Sequence, residues 1–441
     1  MSIKIKLKNL AEKIPPGAGV IFNLLPFKMR LGNDYENYFK LADRLINAND
    51  ETKKIYIIKN FNKIFNHFKL NNRFYNQLLK KANTSLREVK ELNEISDFPI
   101  SNKALLREIP ISDRTIIKYG FKQFNTGGTT GMPLSFYMEK NFYSRELAHM
   151  HYMLKKIGYN PTHTKITIRG KNIDNIYSYN FNQNEFIINS YHSFNTKDYL
   201  TLLKVFKKYN TEFIHGYPSS IYNFLKEASL QAPFLIDFLK KNIKGIMFGS
   251  EFPSPHYRDY IEDILTKNTI SWYGHTEGVI LAGELFQKFE YFPFLSYGYA
   301  EAVKIDDYFH LVGTCFSNLA TPFIRYDTED LINPNLTKDG ILESFEIKEG
   351  RLGEFVTDKN NKNISLTALI FGRHHKLFDK VDFIQVKQIV PGEIVVYYSN
   401  SSFIQTPSDL FDSSNVNIDL SFQQVKEPFK TPLGKIPLLI K

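Results

Sequence analysis

The most distinctive segment of this 441-residue chain is a loop of glycines and hydroxyl residues with the sequence Asn125-Thr126-Gly127-Gly128-Thr129-Thr130-Gly131-Met132-Pro133. Because glycine lacks a Cβ, the backbone N–H groups of such a loop can approach a polyanion closely, and the threonine hydroxyls can donate to phosphate oxygens. No Gly-Lys-Ser/Thr follows, and two of the glycines are adjacent, which excludes a Walker A loop and a dinucleotide-binding fingerprint. Two interpretations stay open from these residues alone, a phosphate-binding loop and an exposed hairpin turn.

The composition is that of a folded chain with little cysteine. Hydrophobic residues make up 43% of the chain and aromatic residues 15%, which excludes a disordered protein. The one cysteine, Cys315, excludes an internal disulfide framework and a thiolate metal cluster, and we expect it to be a buried small hydrophobe. No uncharged apolar run approaches the roughly 20 residues of a membrane span, and the N-terminus has no signal-peptide pattern. We therefore expect a cytoplasmic protein.

The positive charge is concentrated near the N-terminus. The whole chain has 56 Lys and Arg against 46 Asp and Glu, whereas residues 1–100 alone hold 18 basic and 10 acidic side chains. The remainder is almost balanced, so we expect no nucleic-acid partner. The surplus has two interpretations that stay open: drift toward lysine in an A/T-rich genome, or attraction to an anionic membrane surface, such as the inner face of the membrane.

The hydrophobic pattern divides the chain into three regions. Helical periodicity with interspersed lysines indicates a basic helical region over 1–96. Short β-rich runs alternate with helical stretches over 97–371, which predicts an α/β core with parallel or mixed sheets and a site at the strand ends. The pattern of the last region, 372–441, predicts a small α+β domain.

Individual elements can also be predicted from these patterns. Ser101 is the predicted N-cap of a short helix that ends at Arg107. His149 and His151 are two apart on a predicted helix and therefore point to different faces, which argues against a metal pair. The predicted strands are 165–168, 213–214, 243–248, 269–272 and the hairpin pair 383–390 and 393–399. The predicted helices are 35–45, 55–68, 74–82, 199–209, 220–228 and 256–265.

Several segments in addition to the loop resemble the adenylate-forming ligase superfamily, and within it the phenylacetate–coenzyme A ligase or CapK-like branch. The resemblance runs from about residue 98 to the C-terminus, and its motifs occur in the family's order. They are the loop 126–133, His215-Gly216-Tyr217-Pro218-Ser219, Phe248-Gly249-Ser250-Glu251, Trp272-Tyr273-Gly274-His275-Thr276-Glu277, the segment Pro322 to Asp330, Gly372-Arg373 and Thr431-Pro432-Leu433-Gly434-Lys435.

The resemblance implies a role for each motif. The loop would bind the triphosphate of ATP, Glu277 would hold Mg²⁺, and Lys435 would be the catalytic lysine. Residues 215–217 would line the pocket for a carboxylic acid, and the hinge would lie at Gly372 and His375. The adenine and ribose would be bound by Gly249, Ser250, Glu251, Tyr273, Gly274, Asp330 and Arg373.

The function that the resemblance implies is AMP-forming activation of a carboxylic acid. The acyl-adenylate would pass its acyl group to an acceptor, either the thiol of coenzyme A or an amine, and CapK-like members are linked to capsule or surface polysaccharide synthesis. The fold that it implies is a large N-terminal adenylate-forming domain with a small C-terminal lid.

The chain also departs from the family's pattern. Glu329 stands where the family usually has glycine beside the ribose aspartate, and the C-terminal domain is short. His374 and His375 replace the usual acidic residues at the hinge, where they are either exposed linker residues, which we favour, or a pH-sensitive element. These departures keep an alternative function open, in which the protein is a catalytically inactive nucleotide-binding scaffold or partner in a polysaccharide pathway.

Overall fold

The computed structural model describes residues 33–81, 87–116, 121–126, 134–169, 173–181, 183–190, 192–305, 307–349, 355–366, 369–370, 375–381, 383–399, 404–429 and 438–440. The helices are α1 (Asn33–Ile46), α2 (Asp50–Asn71), α3 (Arg73–Lys81), α4 (Lys103–Glu108), α5 (Ile111–Arg114), α6 (Phe142–Leu154), α7 (Thr196–Lys208), α8 (Pro218–Gln231), α9 (Pro233–Asn242) and α10 (Pro255–Leu265). Short 3₁₀ segments lie at Leu92–Asp97, Lys155–Ile157, Lys376–Asp379 and Pro407–Leu410.

The strands follow in chain order and form separate sheets. They are β1 (Lys122–Asn125), β2 (Ser135–Met138), β3 (Thr164–Ile168), β4 (Tyr177–Asn180), β5 (Glu185–Ile188), β6 (Thr211–Gly216), β7 (Gly245–Phe248), β8 (Thr269–Gly274), β9 (Leu281–Gly283), β10 (Phe292–Pro293), β11 (Gly298–Ile305), β12 (Tyr308–Cys315), β13 (Tyr326–Leu336), β14 (Leu342–Glu349), β15 (Phe355–Thr357), β16 (Asn363–Ser365), β17 (Phe383–Val390), β18 (Glu393–Ser399) and β19 (Asp419–Gln424).

The N-terminal helices form where periodicity predicted them. Helix α2 begins at the N-cap Asn49, whose side chain accepts a hydrogen bond from the Thr52 N–H, and this satisfies one of the donors that a helix start leaves free. Its buried residues recur at helical spacing (Ile57, Phe61, Ile64, Phe65 and Phe68). This stripe packs against Tyr299 of β11 and Phe316, which directly follows β12, so α2 shares an apolar core with the antiparallel sheet described below.

The largest sheet within the described residues has the strand order β10-β9-β8-β7-β6-β3-β5-β4. Strands β5, β3, β6, β7 and β8 are parallel, and β4, β9 and β10 are antiparallel additions at the two sides. Helices α7 to α10 cover one face with a continuous apolar core, and prolines begin α8, α9 and α10, where a missing N–H costs nothing. The predicted α/β core is therefore confirmed.

A second sheet, antiparallel and in the order β11-β12-β13-β14, packs on the other side of the core together with α6. Strand β13 also contacts the segment before α4, where the Asp327 N–H donates to the Ser101 carbonyl at 2.8 Å. The predicted N-cap at Ser101 is wrong by one residue, because Asn102 accepts the capping hydrogen bond from the Leu105 N–H at 2.8 Å. Ser101 is instead bound to β13 by its backbone.

The C-terminal unit is built on β17, β18 and β19, and the predicted hairpin agrees with β17 and β18 at both ends. Its apolar core also includes Val356, Leu366 and Ile370, which precede the predicted hinge in the chain. The β15–β16 hairpin contacts α8 as well, through a Lys362–Glu227 ion pair at 2.6 Å. Residues 355–366 therefore connect the C-terminal core to the large domain, and the proposed boundary at 372 stays a prediction.

Candidate active site

The carboxyl ends of three adjacent parallel strands carry three of the sequence motifs. Residues 215–219 end β6, 248–251 end β7, and 272–277 end β8. Because these strands are neighbours and parallel, the motifs lie side by side at the carboxyl ends of the strands, although they are up to 62 positions apart in the chain. Crevices at this edge are the usual ligand sites of open α/β sheets. The sheet thus brings the predicted acid pocket and the predicted nucleotide residues together.

An aromatic pair marks this edge. The half-buried rings of His215 and Trp272 stack with their centroids 5.5 Å apart and their planes 27° apart. Gly249 directly follows β7, the strand between β6 and β8, and makes this stacking possible, because a Cβ there would lie 2.3 Å from the Trp272 ring. Burial lowers the pKa of His215 to about 3, so this imidazole is neutral at pH 7. The glycine at 249 therefore has a packing role beside any contact with nucleotide.

The loop after β6 passes very close to β3. A Cβ on Gly216 would lie 1.8 Å from the Ile168 carbonyl oxygen, so only glycine fits at this position. The next residue, Tyr217, donates its N–H to the same oxygen at 3.1 Å and precedes helix α8. These contacts determine where residues 215–217 project from the sheet.

The segment after β7 is bound to the start of α8. The buried Glu251 carboxylate accepts hydrogen bonds from the Ser219 hydroxyl at 2.8 Å and from the Ser219 N–H at 3.4 Å. A carboxylate at a helix N-terminus is favourably placed for the helix dipole. Ser250 lies between Gly249 and Glu251 and has a φ of 67°. This left-handed backbone conformation costs a non-glycine residue conformational energy.

The predicted metal ligand, Glu277, is buried in a polar network. Its Oε1 lies 3.6 Å from the Lys103 ammonium and accepts a hydrogen bond from the Tyr326 hydroxyl at 3.1 Å, while His275 Nδ1 lies 3.2 Å from Oε2. Burial raises the pKa of Glu277, but Lys103 and His275 outweigh this effect and hold it well below the ordinary value. Glu277 is therefore an ionised carboxylate inside the protein.

The predicted adenine and ribose residues Tyr273 and Asp330 contact each other. The Tyr273 hydroxyl donates to Asp330 Oδ2 at 2.7 Å, and both side chains are only 3% exposed. The Tyr273 ring also packs edge-on against Phe345, so its present environment is that of a core aromatic. Gly274 follows directly at the end of β8. The site roles of these residues stay predictions.

Glu329, which departs from the family's glycine, has a φ of 63°. Glycine adopts this left-handed conformation without steric cost, which explains why glycine is usual at this position in the family that the motifs resemble. Glutamate is strained here because its Cβ makes the same conformation unfavourable. The neighbouring Asp327 side chain accepts the Glu329 N–H at 2.8 Å and stabilises the turn. The strain lies one residue from Asp330.

Part of the predicted site lies outside the described residues. These residues are Gly127, Gly128, Thr129, Thr130 and Gly131 of the loop, Gly372 and Arg373 at the hinge, and Lys435. Thr126 is described, and it closes the base of the loop: its N–H donates to the Leu134 carbonyl, and its hydroxyl accepts from the Leu134 N–H, both at 2.9 Å. Strands β1 and β2 thus hold the two ends of the loop together.

The favoured interpretation of His375 as an exposed linker residue is wrong. His375 is 4% exposed, stacks on Phe411 with centroids 3.7 Å apart, and uses both ring nitrogens, one with the Leu369 carbonyl at 2.8 Å and one with the Asp412 N–H at 2.8 Å. It is a structural residue of the C-terminal core, which sequence adjacency to a hinge motif does not reveal.

The two histidines of α6 have separate surroundings, as their spacing predicted. His149 and His151 lie on α6 and bind different partners, Ser296 at 2.7 Å and Tyr35 at 2.9 Å. Cys315 is buried, as predicted, at 1% exposure. Among the described residues, no group of three or more His, Cys, Asp or Glu side chains could hold a metal ion, and no helix there is long and apolar enough to cross a membrane.

Sequence reasoning missed two residues of this site. Lys103 was assigned only to a short helix, and nothing in its local pattern indicated burial beside Glu277. Trp272 was part of a quoted motif but was not named as a site residue. Its aromatic side chain, on a strand that leads into a predicted ligand site, was a signal that could have identified it. A further charged group on the same sheet, around Glu185, was also missed and is described below.

The chain is similar to known proteins in sequence and in fold. No protein-family model matches the chain. Protein CapK of Staphylococcus aureus is 25% identical over 315 residues, which cover 67% of this chain and 66% of that protein, just under two thirds of its length. A structure of 2-hydroxyisobutyryl-CoA ligase with 2-HIB-AMP and CoA in the thioesterification state superposes with a TM-score of 0.54 at 15% identity, covering 89% of this chain and 90% of that one.

This chain has the adenylate-forming ligase fold. An open conformation of the same ligase, also in complex with 2-HIB-AMP and CoA, gives a TM-score of 0.51 at 14% identity over 87% of this chain and 90% of that one. The resemblance to adenylate-forming ligases and to CapK that the motifs indicated is thus confirmed. In the structure, the motifs at the ends of β6, β7 and β8 lie at the same end of three neighbouring parallel strands.

Proposed function

We propose that the protein is an ATP-dependent, AMP-forming ligase that activates a carboxylic acid as an acyl-adenylate. The proposal depends on one observation: the predicted acid pocket, the Gly249–Glu251 turn and residues 273–277 all lie at the carboxyl ends of neighbouring parallel strands. Asp330 joins this group through its hydrogen bond with Tyr273. Activation requires a carboxylate oxygen to meet the α-phosphorus while pyrophosphate leaves, so positioning and charge neutralisation are the protein's main contributions.

The nucleotide would lie across the ends of β7 and β8. The backbone of the loop 127–131 would bind the phosphates, and the turn at Gly249, Ser250 and Glu251 would border the adenine. Asp330, with Arg373, would bind the ribose. Because Tyr273 is now bonded to Asp330, its ring would have to separate from that carboxylate to stack on adenine, or else the Tyr273–Asp330 pair would bind the ribose as a unit.

Glu277 has the chemistry of a magnesium ligand. Mg²⁺ prefers carboxylate oxygen and is usually held by one or two carboxylates together with substrate phosphates, so an ionised glutamate at this crevice fits. Lys103 occupies the same carboxylate at 3.6 Å. The cation and the lysine would therefore compete for one oxygen, and the lysine ammonium could move onto a phosphate when the metal binds.

Lys435 would stabilise the negative charge that develops between the attacking carboxylate and the α-phosphate. We expect Lys435→Ala to lose adenylation, measured as substrate-dependent pyrophosphate release, while it keeps ATP binding, measured by calorimetry. Lys426→Ala is the matched control, because Lys426 is an exposed lysine nine positions earlier. Normal pyrophosphate release by the Lys435 variant would remove this residue from the mechanism.

The acceptor would be either coenzyme A or an amine. The structural relatives were solved with CoA bound, whereas the sequence relative is CapK, and the proposed place of the reaction in capsule or surface polysaccharide synthesis depends on that match. A screen of carboxylic acids for pyrophosphate release, repeated with coenzyme A and with amines, separates the two acceptors by the product that accumulates.

A catalytically inactive scaffold is the second candidate, and two observations favour it. Lys103 already neutralises Glu277, and Glu329 puts strain and an additional carboxylate beside Asp330. Exchange of labelled pyrophosphate into ATP, measured over a panel of acids, distinguishes the candidates: exchange with any acid supports the ligase, and ATP binding without exchange supports the scaffold.

A further inference from the structure

A group of charged side chains lies on one face of the central sheet, next to the acid pocket. Lys165, Thr167 and Arg169 alternate along β3 and the residue after its end, so all three project from the same face. Neighbouring strands add Glu185 from β5 and His215 from β6, whose backbone positions pair with Lys165 and Thr167 respectively. We call these five residues the β3 polar group.

Glu185 is the centre of the β3 polar group. Its carboxylate accepts the Thr167 hydroxyl at 2.7 Å and lies 3.9 Å from the Lys165 ammonium and 3.7 Å from the Arg169 guanidinium. Burial raises the pKa of Glu185, but the two cations outweigh burial and lower it to about 2. One carboxylate thus faces two cations, and it is ionised at pH 7.

The charges of the β3 polar group do not balance. Lys165 and Arg169 are positive, Glu185 is negative and His215 is neutral, which leaves one positive charge. The Lys165 and Glu185 side chains are 7% and 2% exposed, whereas Arg169 is 38% exposed. We therefore assign the unbalanced charge to the arginine. It directly follows β3 at the carboxyl end, next to Ile168, whose carbonyl accepts the Tyr217 N–H.

A second polar atom is available beside it. Nδ1 of His215 is buried and has no hydrogen-bond partner among the described residues. A buried nitrogen without a partner costs free energy, which a ligand atom could recover. The Trp272 ring stacks on the same imidazole, so the predicted acid pocket would have an apolar side at Trp272 and a positively charged side at Arg169.

We propose that the acid activated by this protein carries a second anionic group, which Arg169 binds at the carboxyl end of β3 while His215 Nδ1 hydrogen-bonds to the same end of the molecule. The inference rests on the proposed function. A guanidinium binds carboxylate or phosphate oxygens in a planar, bidentate geometry, so a dicarboxylic or comparably charged acid fits better than an apolar or aryl monocarboxylic acid.

The alternative is that the β3 polar group only stabilises the fold. A buried ion pair adds little net stability, because well-packed apolar residues in its place usually stabilise the fold as well. The excess cation is also accessible to solvent, because the Arg169 side chain is 38% exposed, so an anionic group of a ligand can reach it. The unbalanced and partly exposed Arg169 therefore favours a ligand.

The test compares matched acids in a pyrophosphate-release assay with ATP. The probes are hexanoate and adipate, butyrate and succinate, and the aryl acid phenylacetate, each over a concentration series. We expect the dicarboxylic member of a pair to have the lower KM. Arg169→Gln should raise that KM by about 10- to 100-fold, the size of a lost charge-assisted hydrogen bond, and leave the KM for monocarboxylic acids and for ATP unchanged.

Two further variants make the result specific. Arg169→Lys keeps the charge without the planar fork and should recover part of the selectivity. Lys244→Gln is the matched control, because Lys244 is an exposed cation paired with Glu212 near the opposite end of β6. Denaturation followed through the fluorescence of Trp272, which is the chain's one tryptophan, verifies that each variant is folded.

The outcomes separate this inference from the proposed function. Pyrophosphate release with monocarboxylic acids at equal or lower KM, unaffected by Arg169→Gln, overturns the second anionic group and leaves the ligase intact. A rise in the KM for ATP alone would assign Arg169 to the nucleotide and also overturn it. No pyrophosphate release by the wild-type protein with any acid, despite ATP binding, would refute the proposed function itself.

Discussion

Replacing Lys103 with methionine tests the polar network around Glu277. Methionine keeps the length and apolar stem of the side chain but removes its charge, which leaves Glu277 ionised and buried without its cation. The two side chains are 9% and 6% exposed, and breaking a buried pair typically costs about 3–5 kcal/mol. The 3.6 Å separation is longer than a hydrogen bond, and Tyr326 and His275 remain bound to Glu277, so we expect the lower end, about 3 kcal/mol.

The pH dependence of this loss follows from the direction of the pKa shift. In the folded protein the pKa of Glu277 lies below its ordinary value of 4.5, so its ionic contacts add stability above about pH 4.5 and lose it as the pH falls through the folded pKa. The Lys103→Met variant lacks this contribution. We therefore expect the difference in the free energy of unfolding to be largest at neutral pH and to shrink in acid.

The measurement is chemical denaturation followed by the fluorescence of Trp272, at pH 7 and at several values down to about pH 3, well below the ordinary pKa of 4.5. Lys40→Met is the matched control, because its ion pair with Glu36 is exposed and should be worth less than 1 kcal/mol. The double variant Lys103→Met, Glu277→Gln should recover part of the loss. A loss below 1 kcal/mol for Lys103→Met, or one that is the same at every pH, would refute the reasoning.

Two other substitutions test the backbone around the site. Glu329→Gly should raise the free energy of unfolding by about 1 kcal/mol, because it removes a side chain at φ 63°, and Asn361→Gly, at φ 58° with a better-tolerated residue, should change it less. Gly249→Ala should lower it by about 1–3 kcal/mol and change the Trp272 emission, since the new Cβ would lie 2.3 Å from the indole; an unchanged spectrum would contradict that contact.

Local patterns predicted the secondary structure well where a segment's own residues decide it. The hairpin of β17 and β18 was predicted to the residue, because alternating apolar side chains and the Pro391-Gly392 turn specify it without help from distant contacts. Helix α2 was predicted from a stripe at three- and four-residue steps. The Asn102 cap was missed because Ser and Asn are equally good caps and their neighbouring contacts decide between them.

The candidate site was predicted as a set of residue types, and its connections were not. The motifs predict that His215, Gly249, Tyr273, Glu277 and Asp330 belong to one site, which stays a prediction. No local pattern shows that Tyr273 donates a hydrogen bond to Asp330, 57 positions away. Nor does the pattern reveal the role of a glycine such as Gly249, whose smallness is required by an indole on the next strand.

By itself, the sequence determined the kinds of elements, their order and the glycine-rich and acidic motifs, because periodicity, caps and turns act over a few residues. Only the tertiary structure decided which charges are paired. Lys103 meets Glu277 across 174 positions, and Arg169 meets Glu185 with one positive charge left over, because strand order and helix packing place these groups side by side. Burial then sets their protonation, and burial is a property of the whole fold.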